Sequence, residues 1–122
     1  MGTFHVDCEI QNLAPPGKRA LVKQLLVDTG AEYTWIRATV LEKAGIGIRK
    51  KDVPFLMANG QTITRDVGYA ILRAQGFETV DEVVFGHSGD LQLLGSRTLE
   101  GFSAVIDPRR KKLVAAGPIP AA

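Results

Sequence analysis

Apolar and polar residues alternate from the start of the chain. Phe4, Val6, Cys8 and Ile10 are interleaved with His5, Asp7, Glu9 and Gln11, a period of two that predicts a strand with one buried face. Asn12 to Lys18 contains Ala14-Pro15-Pro16-Gly17 and reads as a loop, because proline fixes φ and offers no amide to a ladder. Ala20 to Val27 forms a second strand, antiparallel to the first. Its apolar run, Leu25-Leu26-Val27, stops abruptly at Asp28-Thr29-Gly30. Glu32 to Ile36 predicts a short extended return, and Thr39 to Ala44 a short helix closed by Gly45. Ile46 to Asp52 reads as a surface connection.

Val53 to Ala58 is the next apolar strand, and Pro54 marks an edge or a first position. Asn59-Gly60 is the strongest hairpin signal in the chain, with Gln61 to Arg65 returning. Val67 to Arg73 is a strand apolar on much of both faces, and Phe77 to Phe85 returns after a turn at Gln75-Gly76. A polar loop, Gly86 to Asp90, leads to a short strand, Leu91 to Leu94. Ser96 to Glu100 predicts one or two helical turns, capped by Ser96 and ended by Gly101. Phe102 to Ile106 and Lys111 to Ala115 pair around a turn at Asp107-Pro108-Arg109-Arg110, and Pro118 and Pro120 mark a loose tail.

Composition narrows the function classes. The 122 residues suit one domain with one modest core, and 45% apolar with 23% charged residues is ordinary for a globular protein. A formal net charge of +2 implies no nucleic-acid partner. The cluster Arg109-Arg110-Lys111-Lys112 reads as a basic hairpin turn. Cys8 is the only cysteine, so no internal disulfide forms; it fits a reducing compartment and a buried position in its strand. His5 and His87 lie far apart without ligand-like spacing, which argues against a metal site. No leader of basic then apolar residues and no membrane-length apolar run is present, so no membrane partner is expected and the cytoplasm is the expected location.

An acid placed directly after a buried run is costly unless it is hydrogen-bonded or catalytic. Taken alone, Asp28-Thr29-Gly30 reads more readily as a strand ending in an Asx-type turn than as an active site. The wider context decides between them. Val27-Asp28-Thr29-Gly30-Ala31, followed by Thr34 and Ile36, resembles the catalytic segment of retroviral-type aspartic peptidases. Leu93-Leu94-Gly95, followed by Ser96-Arg97-Thr98-Leu99, resembles the hydrophobic-hydrophobic-glycine element before the short helix of that family. Val105-Ile106-Asp107-Pro108, inside Leu99 to Leu113, matches the small prokaryotic retropepsin-like group. The resemblance runs over about residues 4 to 115, nearly the whole chain.

The resemblance implies an all-β fold: a small closed acid-protease barrel of antiparallel strands with one or two short helices, as a single domain over 1–122. It implies an aspartic endopeptidase without cofactor or metal, with Asp28, Thr29 and Gly30 as catalytic residues. Ala31, Trp35, Ile36, Met57, Asn59, Gly60, Ile63 and Val84 would bind substrate, within or beneath a flap around Met57 to Ile63. Leu94 and Gly95 would pack behind the catalytic loop. The mechanism needs two carboxylates sharing one proton, and the chain carries one Asp-Thr-Gly, so a homodimer is expected to supply the second. The flap tip is more polar than the glycine-rich viral tip, and the segment after the second helix is longer than in viral members. The competing expectation is a non-catalytic peptide-binding or dimerisation module on the same fold.

Overall fold

The computed structural model describes residues 3–121; residues 1, 2 and 122 of the expected 1–122 domain lie outside the described residues. The elements are β1 (His5–Gln11), β2 (Arg19–Val27), β3 (Thr34–Arg37), α1 (Ala38–Lys43), β4 (Lys50–Leu56), β5 (Thr62–Ala74), β6 (Phe77–Gly86), β7 (Leu93–Leu94), α2 (Ser96–Phe102), β8 (Ala104–Asp107) and β9 (Lys112–Ala115). Seven strands form one sheet in the order β1-β2-β7-β3-β6-β5-β4, and β8 with β9 forms a separate two-stranded sheet.

The fold is mostly β with two short helices, but the closed barrel of antiparallel strands is corrected. The main sheet is mixed, because β2–β7 and β3–β6 run parallel. β4 is a free edge, and β8–β9 stands apart. β1 also meets β5, across only Glu9↔Arg73, Ile10↔Leu72 and Gln11↔Ile71. The period of two identifies strands and their faces but carries no direction. The β2–β7 pairing comes from the two residues of β7 inserting between β2 and β3, antiparallel to the latter, and β3–β6 joins two strands that are likewise far apart in sequence.

Continuous apolar runs mark strands covered on both faces, and here they divide two clusters. Along β3, Trp35 faces one cluster and Ile36 the other; along β6, Val84 and Val83 divide likewise; along β7, Leu93 and Leu94. The larger cluster holds Val6, Ile10, Leu25, Ile36, Leu41, Leu72 and Leu94, with α1 and α2 contributing Leu41, Leu99 and Phe102. Cys8 lies in it, and burial pushes its thiol up to about 12, which leaves it a small inert hydrophobe. The smaller cluster is built on Trp35, Val67, Val84 and Leu93.

Local chemistry sets several boundaries. After α1, Gly45 takes φ +70, its amide bonds to the Glu42 carbonyl (2.9 Å) and the Ile46 amide to the Leu41 carbonyl (2.9 Å). This is the glycine-terminated helix end expected from Gly45. β4 begins at Lys50, inside the segment read as a connection, and the two strands read on either side of Asp66 are one long strand, β5. Gly101 does not end α2, which runs on to Phe102 and closes at Ser103 with φ 54. A Cβ at Gly101 would lie 2.4 Å from Thr79 Oγ1, so close packing on β6 accounts for that glycine. Nor does the Ser96 side chain cap α2; the cap position is Gly95, with no side-chain hydrogen bond. No helix among the described residues is long and apolar enough to cross a membrane.

Candidate active site

Asp28 sits where β2 leaves the sheet. Its amide donates to the Leu94 carbonyl (2.9 Å), which ties the end of β2 to the end of β7. Its Oδ1 accepts the Gly30 amide (2.9 Å), and its carbonyl accepts the Ala31 amide (3.2 Å). The Asx turn is therefore real, and it holds the carboxylate in one orientation. Oδ2 has no protein partner among the described residues. Gly30 does not need a left-handed backbone; a Cβ there would come within 3.3 Å of Asp28 Oδ1, so the bare glycine keeps the carboxylate uncrowded. Thr29 is exposed, and its hydroxyl makes no hydrogen bond among the described residues.

A second loop locks the first. The Ser96 amide donates to the Ala31 carbonyl (2.7 Å) and the Arg97 amide to the Glu32 carbonyl (3.1 Å). A Cβ at Gly95 would lie 2.4 Å from the Tyr33 carbonyl oxygen and 2.5 Å from that of Glu32. No side chain fits where these two backbones cross. Beneath them runs a buried polar chain. The Gly95 amide donates to Thr34 Oγ1 (3.0 Å), Thr34 Oγ1 lies 2.6 Å from Thr98 Oγ1, and Thr98 donates to Asp81 Oδ2 (2.8 Å). Because the single Thr98 proton goes to Asp81, Thr34 must donate to Thr98. Each hydroxyl in the relay is satisfied, as its burial demands.

Asp28 opens onto a cleft of about 790 Å³. Ala31, Tyr33, Trp35 and Leu93, the run Val53 to Ala58, and Gly89, Asp90 and Leu91 line it. Phe55 packs against Tyr33 (ring centroids 5.2 Å, near-perpendicular) and Trp35 (5.2 Å). Leu56 and Leu91, 77% and 71% exposed, are the two most exposed large apolar residues described, and both line this cleft. Water-facing apolar surface gathered at a cleft is the usual mark of a binding site.

Of the expected substrate-binding residues, Ala31, Trp35 and Met57 line the cleft. Val84 is fully buried beneath it, in the cluster that Ile63 packs against. Ile36 points away, into the larger core, because it alternates with Trp35. Asn59 and Gly60 form the tip of the β4–β5 hairpin, where Met57 and Gln61 close a three-residue loop and Gly60 takes φ +84. Leu94 and Gly95 pack behind Asp28 as described. Tyr33, Val53, Phe55, Leu91, Leu93 and Asp90 were not expected in the cleft. Tyr33 could have been found two positions before Trp35, and Val53 and Phe55 by the same alternation from Met57.

Charges around the cleft are mostly matched. Arg65 Nε and Nη2 donate to the two Asp90 oxygens (2.8 and 2.9 Å), joining β5 to the loop before β7. This two-point contact, with the His87 amide, holds the Asp90 carboxyl below the usual carboxylate range. Arg97 lies over the Tyr33 ring (4.6 Å) and pairs with Glu82 (3.1 Å). Lys50 hydrogen-bonds the same carboxyl, and it and then Arg97 hold Glu82 below its usual range. No group of three His, Cys, Asp or Glu side chains among the described residues converges to hold a metal.

The family profile described as gag-polyprotein putative aspartyl protease matches residues 21–101, well over half of the chain. Its span begins in β2, before Asp28, and ends in α2, after Gly95. No curated protein and no solved structure matches the chain.

Proposed function

Since the chain belongs to the retropepsin-like gag-polyprotein aspartyl protease family, we propose that it is an aspartic endopeptidase, working as a homodimer that hydrolyses extended polypeptides. The observation that carries the reading is Asp28 itself: a carboxylate clamped through one oxygen and left free at the other, at the mouth of an apolar cleft. The other carboxylates of the cleft cannot complete a pair with it. Asp90 is taken up by Arg65, and Glu32 lacks the strand-end setting.

A two-fold axis at this mouth supplies the missing group, because it brings Asp28 of each protomer opposite its copy. Two such carboxylates share one proton and titrate together. The ionised member takes a proton from water, and the resulting hydroxide attacks the scissile carbonyl. The protonated member donates to the carbonyl oxygen, and the leaving nitrogen is protonated as the bond breaks. The exposed Thr29 hydroxyl is free to brace the opposing loop, and Gly30 keeps the approach to the carboxylate clear. The β4–β5 hairpin serves as the flap; closing, it excludes water and offers backbone groups to the peptide. The lone buried Cys8 accords with a cytoplasmic setting.

Asp28→Asn keeps the Asx turn and removes the shared proton. Cleavage of an unfolded polypeptide at mildly acidic pH should fall about 10³-fold or more, with the folded state retained. Unchanged cleavage overturns the assignment. A dimeric, peptide-binding protein whose Asp28 makes no difference to any reaction is the non-catalytic module.

A further inference from the structure

The β4–β5 hairpin projects beyond the sheet. Pairing of β5 with β6 starts at Val67↔Val84, so from Asp66 to the tip β5 pairs only with β4, whose outer edge is free. Arg65 stands opposite Val53 at the root of this projecting part. Its Nε and Nη2 donate to Asp90 Oδ2 and Oδ1 (2.8 and 2.9 Å), and its Nη1 donates to the neighbouring Thr64 carbonyl (2.7 Å). Among the described residues, no other ion pair ties residues 53–65 to the rest of the chain. Asp90 is itself fixed. Its Oδ2 also accepts the His87 amide (2.7 Å), and its own amide donates to the His87 carbonyl (3.0 Å). Further along, Gln92 Oε1 accepts the Arg37 amide (2.9 Å). Leu91 is therefore held between two anchors where it lines the cleft.

We propose that Arg65 and Asp90 are positioning residues: they lock the root of the hairpin to the Leu91 loop and so set the gap in which Leu56 and Leu91 grip a peptide. This rests on the peptidase reading for what enters the cleft and adds to it how the hairpin is aimed. A planar guanidinium bonded through two nitrogens to both oxygens of a carboxylate fixes distance and angle together, which a single ammonium contact does not. The two side chains are 14% and 17% exposed, against 31% and 57% for Arg73–Glu78, so solvent screens this pair less. Beyond Arg65 the hairpin meets the cleft floor through apolar contact, Phe55 on Tyr33 and Trp35. Apolar contact is non-directional and lets the hairpin rock, so its orientation comes from the ion pair. The pair is complete within one protomer and does not depend on how a second copy approaches.

Hydrogen exchange and steady-state kinetics on the full chain test this. Asp90→Asn keeps an oxygen for the His87 amide and removes the charge; Arg65→Lys keeps the charge and removes the two-point geometry. In each variant the amides of the hairpin tip, Met57 and Gly60 among them, should exchange about fivefold faster, while those of the β1–β2 pairing keep their rates. KM for casein, an unfolded polypeptide, should rise about fivefold, with kcat within about twofold of the wild type. The double variant should be no worse than either single one, because both remove the same contact. Arg73→Gln, which breaks the Arg73–Glu78 pair, should leave hairpin exchange and KM as in the wild type. Acceleration spread evenly over the sheet, hairpin exchange that does not change, or Arg65→Lys matching the wild type in both readouts overturns the proposal. A wild type that cleaves no casein, with hairpin exchange rising in the variants as stated, refutes the peptidase reading and leaves the positioning assignment standing. Cleavage by the wild type, with KM and exchange unaltered in the variants, refutes the positioning assignment and leaves the peptidase reading standing.

Discussion

The two apolar clusters share strands yet differ in kind. The larger one takes Ile36, Val83 and Leu94 and seals them, with α1, α2 and the β8–β9 sheet closing over it. The smaller one takes Trp35, Val84 and Leu93 from the same strands, one residue away. Apart from the buried Val67, the residues packed against it, among them Tyr33, Phe55, Met57 and Ile63, are only half-buried. One face of the sheet is thus finished within the chain, and the other is left as a lined cleft with Asp28 at its mouth. Burial of apolar area stabilises the fold on the first face, whereas the second keeps apolar surface partly exposed.

Substitutions on the two faces should separate these roles. Leu72→Ala, in the sealed core and fully buried, should cost about 3 kcal/mol of unfolding free energy. Denaturant titration measures this, and peptide affinity of the folded fraction should be unaltered. Thr34→Val breaks the relay and strands the Gly95 amide, while Thr98 keeps its hydrogen bond to Asp81. It should cost about 2 kcal/mol, together with a loss of cleavage, since Gly95 positions the Asp28 loop. A stability loss with full activity per folded molecule would show that the relay supports only the core. Phe55→Ala should cost about 1 kcal/mol, because the ring is half-buried. It should shift Trp35 emission and weaken peptide binding far more than Leu72→Ala does, and the reverse ranking would break the distinction between the faces.

The smallest effect concerns Arg65 and Asp90. Arg65 lowers the Asp90 carboxyl from 3.8 in the folded state, so folding favours its ionised form. The resulting stability is complete above the unfolded value and is lost as the pH falls through the lower folded one. Asp90→Asn should therefore cost up to about 1 kcal/mol at neutral pH and nothing at the acid end of a pH-dependent stability series. A cost that persists undiminished in acid would assign the contact to the packing of the loop instead.

The sequence displayed strands well and their connections poorly. The alternation from Phe4 to Ile10, the Asn59-Gly60 turn and the Gly45 helix end could be read because each is fixed by local physics. The paired runs Val83-Val84 and Leu93-Leu94 are apolar at successive positions, which does not tell which side is open. That needs the register of β3 against β6 and β7, a long-range fact. For the same reason Ile36 was assigned to the cleft and Phe55 was not. The closed antiparallel barrel failed on the free edge at β4 and on strand direction, neither of which a local pattern encodes. Asp28 and Gly95 stood out through motif context. The Thr34–Thr98–Asp81 relay had no such signal, since threonines on a strand and a helix ordinarily face water or cap their own backbone.

A crystal structure of the protein, read for the separation of the Asp28 carboxylates of neighbouring protomers, tests the central claim most directly. The account predicts a two-fold dimer with the two groups within hydrogen-bond reach, about 3 Å apart. A monomer, or a dimer in which each Asp28 faces solvent or a foreign surface alone, contradicts it.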